Sequence, residues 1–308
     1  MTSTYRSNAL VRASLAGALA LAAMVSWAQP AAPADPRAAK AREIVAGKPW
    51  MGSTEEYARL EPSVIKQIDQ SADEVTSSLR RDSAWNPNHP KWAATREQVR
   101  GDMRAAWSEA GRAALGGIEP ARYQEHLVGL YLAAFDDAAL DALVGFYRSP
   151  EGVRFARYLA DLARSTRDGE LAAMDLAAGG PPRWDGQDPA RMRVRVQTLL
   201  ALEPMQGMAN IARDPGDATL ASGMSATLLT IAAVSGEKIE ALRAGVGEAD
   251  RAAIDAFERT PARITERALL VAESERIYRA SREWSSALPA FLKKLEAQEA
   301  AWRKLAAD

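Results

Sequence analysis

The sequence predicts an all-α protein: a multi-helix body assembled from helix–corner–helix units, with a candidate internal duplication. Three observations carry this. Apolar residues recur at helical spacing along nearly the whole chain. Proline, glycine and capping residues interrupt that pattern at intervals suited to helices. The one segment that alternates with a period of two, Arg191 to Val196, has no visible partner, and a lone strand cannot satisfy its backbone.

Helices are expected at 37–46, 61–81, 90–114, 119–133, 137–148, 150–177, 189–203, 217–235, 237–245, 248–258, 261–285 and 288–306. Read as a helix, the Arg191 segment puts Met192, Val196, Leu199 and Leu200 on one face, with Asp188-Pro189 as its start signal. Asn86-Pro87-Asn88-His89-Pro90 is a turn that no helix can continue through. Met224 to Val234 carries almost no charge and reads as a core helix. The last helix aligns Leu288, Phe291, Leu292, Leu295, Trp302 and Leu305 in one stripe.

Arg6 and Arg12 precede a short apolar run that ends in Ser26-Trp27-Ala28, the parts of a secretory signal peptide cleaved after Ala28. The run is shorter than the roughly 20 residues a membrane span needs. Cleavage would move the formal charge from −1 to −3 and leave a periplasmic chain without a stable span. That near-neutral charge excludes an electrostatic grip on nucleic acid. With no cysteine, neither a disulfide nor a lipid-modified thiol can form. The expected organisation is signal 1–28, linker 29–36, N-terminal helical region 37–178, linker 179–187 and C-terminal helical region 188–308.

The fullest local grammar lies between Tyr123 and Leu162. Asp136 is placed to cap a helix, and Phe135 and Leu140 have the spacing of a hydrophobic staple. Leu140, Leu143, Val144 and Tyr147 then share one face. Ser149-Pro150 ends that helix and starts the next, with Ser149 as cap and Pro150 in its first turn. Phe135, Phe146, Tyr147, Phe155 and Tyr158 gather near this corner.

In Phe135, Leu140, Leu143, Phe146, Tyr147, Ser149, Pro150 and Gly152, this segment of about 45 residues resembles the bacterial family "domain of unknown function 2059". The resemblance implies an exported, all-helical protein and no established chemistry. A degenerate second copy is expected at about 234–275. An offset of 111 lays Ala142, Leu143, Phe146, Arg148, Ser149, Pro150 and Val153 over Ala253, Ile254, Phe257, Arg259, Thr260, Pro261 and Ile264. Tyr147 and Gly152 are replaced there by Glu258 and Arg263.

Local catalytic signatures are lacking. His126 has Arg122 and Leu130 at helical spacing rather than a ligand, and His89 sits in a proline-rich turn. No serine-nucleophile or phosphate-cradling pattern occurs. Asp136, Asp137 and Asp141 lack calcium-loop spacing and read as capping and solvent-facing groups. Arg191, Arg193 and Arg195 point to different sides of a helix and suit salt bridges. Trp50, Trp85 and Trp92 cluster near turns. Neither a metal nor a cofactor is expected. The reading is a non-enzymatic periplasmic protein that binds another envelope protein or an apolar ligand through an aromatic groove, with Phe146, Tyr147, Phe155 and Tyr158 as contacts. A lipid carrier and a cell-wall-directed enzyme are the alternatives.

Overall fold

A computed structural model describes residues 35–48, part of 66–79, 91–119, 122–177 and 183–307. Among these residues the chain is all-α and contains no strand. Its bounded helices are α1 (Pro36–Ala46), α2 (Lys91–Ala114), α3 (Tyr123–Ala134), α4 (Asp137–Arg148), α5 (Pro150–Ala177), α6 (Pro189–Leu199), α7 (Glu203–Ile211), α8 (Ala218–Val234), α9 (Gly236–Gly245), α10 (Glu248–Glu258) and α11 (Pro261–Ala307). Further helical turns lie within 66–79. The signal region, Trp50, Trp85 and His89 lie outside the described residues.

Most starts follow from capping chemistry. Asp136 Oδ1 accepts from Ala139 N at 2.8 Å to open α4, and Asp188 Oδ1 accepts from Ala190 N at 3.0 Å to open α6. Asp217 does the same for α8, accepting from Leu220 N at 2.9 Å. Arg191 to Val196 is therefore helical, with Met192 and Leu199 buried.

Three expectations need correction. The helix expected at 189–203 stops at Leu199, and a separate α7 starts at Glu203 with Pro204 in its first turn. The two last helices are one, because α11 runs through positions 286–287 without ending. Helix α3 begins at Tyr123 rather than 119. Packing crosses the boundary between the two helical regions: α5 lies against α8, α9 and α10, while α11 lies against α2, α3 and α4.

That exchange is reciprocal. Adding 111 to the bounds of α4 gives the start of α10 and the residue after its end; the same shift carries the start of α5 to the start of α11 and the end of α3 to the end of α9. Each half thus sends its long last helix onto the three helices that precede the equivalent helix in the other half. One core cluster spans both halves, from Ile44, Tyr131 and Leu143 to Leu199, Met208, Ile231 and Leu270. The approach of α5 to α8 is close: a Cβ on Gly169 would lie 2.7 Å from Ile231 Cα. The far end of α11 reaches a second cluster, where Trp302 packs with Val99 and Met103 and donates to Asp102 Oδ2 at 2.8 Å. The side chains of Leu288, Phe291, Leu292, Leu295 and Leu305 lie outside the described set.

Candidate functional site

The two corners meet. Ser149 Oγ accepts from Gly152 N at 3.0 Å, and Thr260 Oγ1 accepts from Arg263 N at 3.3 Å, so both caps form at equivalent positions. Backbone bonds repeat with them: Ser149 N donates to Phe146 O at 2.9 Å, and Thr260 N donates to Phe257 O at 2.9 Å. Gly152 is required sterically in the first corner, because a Cβ there would collide with Phe146 O. The second corner caps at Arg259 in helical conformation and accommodates a full arginine at the matching position.

Between the corners, Phe146 stacks on Phe257, with ring centroids 3.5 Å apart and planes 6° from parallel. Phe155 and Tyr147 meet Phe257 edge-on at 6.5 and 5.6 Å. The structure brings Phe146, Tyr147 and Phe155 into one cluster around Phe257. Phe155 is buried in the core, and Phe146, Tyr147 and Tyr158 are half-buried against it. Phe135, Leu140 and Leu143 are buried in the same core.

Beside the aromatic stack lies a charged cluster that sequence reasoning did not find. Arg263 and Glu266 project from the first turns of α11, Glu203 opens α7, and Lys48 follows the Gly47 cap of α1. All four are buried, with Arg263, Glu203 and Glu266 at 0% exposure. Such burial is tolerated only where every charge is paired and hydrogen-bonded.

Glu266 is the hub. Its carboxylate accepts from Tyr131 Oη and Tyr147 Oη, both at 2.8 Å, and from Arg263 Nη1 at 2.8 Å, and pairs with Lys48 Nζ at 3.1 Å. Arg263 also donates from Nη2 to Glu203 at 2.7 Å and from Nε to Glu258 at 3.0 Å. Lys48 Nζ donates to Tyr147 Oη at 2.6 Å and sits 4.3 Å from that ring's centroid. Arg267 extends the network, donating to Glu258, Gln206 and the Leu200 carbonyl.

Burial works against charge on Glu266, but Lys48, Arg263 and the two tyrosine hydroxyls outweigh it and hold the carboxyl below its usual range. Glu203 is likewise held down against its burial by Arg263 and Lys48. Burial, then the Glu266 charge, pushes Tyr131 and Tyr147 well above the ordinary phenol value. Burial lowers Lys48, and the nearby carboxylates only partly restore it.

No protein-family profile, curated protein or solved structure matches the chain.

The remaining sequence candidates settle into structural roles. Asp137 and Asp141 pair with Lys40 of α1 at 3.5 and 2.6 Å. Arg191 and Arg195 both hold Glu240, at 2.6 and 2.8 Å. His126 Nε2 lies 3.3 Å from the buried Glu273 Oε1. Among the described residues no group of three or more His, Asp or Glu is arranged to hold a metal ion. No single described helix is long and apolar enough to cross a membrane, though the bent pair α8–α9, 70° apart, passes on length and composition.

One signal could have found the charged cluster. The same 111-residue offset lays Glu266 over Phe155, as it lays Glu258 over Tyr147 and Arg263 over Gly152. Three ionisable residues replacing core positions of a motif imply buried partners elsewhere in the chain.

Proposed function

We propose that the protein is a non-enzymatic binding protein of the bacterial cell envelope, exported by cleavage after Ala28. The single observation that carries the non-catalytic reading is the saturation of Glu266 by Tyr131, Tyr147, Lys48 and Arg263. A catalytic acid or base with a displaced pKa has to present its proton to a substrate. Here Lys48, Tyr131, Tyr147, Glu203, Arg263 and Glu266 spend their donors and acceptors on one another and tie the segment after α1 to α3, α4, α7 and α11. The network suits a rigid frame on which outer helix faces meet a partner.

Native mass spectrometry of the mature protein, released gently from its host's periplasm, tests this reading. A discrete additional polypeptide mass supports it. A small apolar adduct would transfer the protein to the carrier reading. Conversion of an envelope polymer by the purified protein would overturn the non-enzymatic reading.

A further inference from the structure

The charged cluster is divided unequally between the two halves. Residues 36–177 supply Lys48, Tyr131 and Tyr147, which donate. Residues 189–307 supply Glu203, Glu258 and Glu266, which accept, together with Arg263 that crosslinks them. Yet the joint itself is arranged as contacts between like copies are. Phe146 stacks on its own equivalent, Phe257, as residues do across a twofold axis, and the last helices are exchanged reciprocally.

We propose that the buried cluster is a pairing lock: it makes the first half bind the second in preference to a second copy of itself. Two first halves would bury two sets of donors around Lys48 with no carboxylate hub. Two second halves would bury Glu203 and Glu266 twice over, without the lysine and the tyrosine hydroxyls. Only the unlike pair completes the network, and leaving buried charge uncompensated is strongly unfavourable. An aromatic stack alone has no such preference, because Phe is present in both copies. The replacements Tyr147 to Glu258, Gly152 to Arg263 and Phe155 to Glu266 between the copies are what turn a self-complementary joint into a selective one. Buried polar groups that fix partner choice are an established physical device.

The test uses the folded full-length mature protein with a protease site inserted in the 179–187 linker. After cleavage, the nicked protein is warmed to just below its melting transition, cooled, and examined by native mass spectrometry. Wild type is expected to give one dimeric species, the unlike pair. A statistical mixture would contain as many like pairs as unlike ones. In the variant Lys48→Met/Glu203→Leu/Arg263→Met/Glu266→Met, like pairs are expected to appear. Like pairs in nicked wild type would overturn the proposal, as would halves that separate into folded monomers. So would a folded variant that stays as strictly unlike-paired as wild type. The wild-type measurement decides even if the variant does not fold.

Discussion

Tyr147 and Glu266 lie 119 positions apart, yet the hydroxyl of one donates to the carboxylate of the other at 2.8 Å. Through that bond the first helix corner is tied to the helix that follows the second. The same carboxylate also receives Tyr131 from α3. Removing a single member should therefore be felt across the body rather than locally.

Glu266→Gln is expected to destabilise the protein by about 3–5 kcal/mol, since it leaves Lys48 and Arg263 buried without their shared counter-charge. Replacing both ends of the pair, Lys48→Met with Glu266→Gln, should recover part of that loss. Urea denaturation of the two variants checks this. A double variant less stable than the single one would contradict it.

Acid should unfold the protein through the same groups. Glu203 and Glu266 are held below the ordinary carboxylate range in the fold, whereas the unfolded chain binds protons near pH 4.3. Their contribution is therefore fully present above about pH 4.3 and is lost as pH falls through the depressed folded values. Urea midpoints measured from pH 7 to pH 3 should fall in that acid window. In Glu203→Gln/Glu266→Gln the fall should be shallower.

Gly152 and Gly145 differ in what a Cβ would meet. Gly152→Ala places a Cβ against Phe146 O and should open the first corner, with a clear loss of melting temperature. Gly145→Ala meets nothing within 4 Å on an exposed face of α4 and should stabilise by up to about 1 kcal/mol through helix propensity. Parallel thermal melts read both effects.

Much of the fold was legible locally. Asp136, Asp188, Ser149 and Thr260 each make the cap their spacing suggested. What was not legible depended on distance. Nothing near Glu203 shows that its partner Arg263 lies 60 positions away, so Glu203, the start of α7, was read as the end of a helix over 189–203. The helices expected at 261–285 and 288–306 are likewise one, with Pro289 inside α11. Phe146, Tyr147 and Phe155 were correctly grouped near the corner. Their spacing could not show Phe257, 111 positions from Phe146, which stacks on the group from the other half.

The most direct test of this joint is a double-mutant cycle on Phe146 and Phe257, using leucine at each position and both together. Packing across the two halves should give a coupling of about 1 kcal/mol, within the range for stacked aromatic pairs, and one cooperative transition in every variant. Additive effects, or separate transitions for the two halves, would contradict the account.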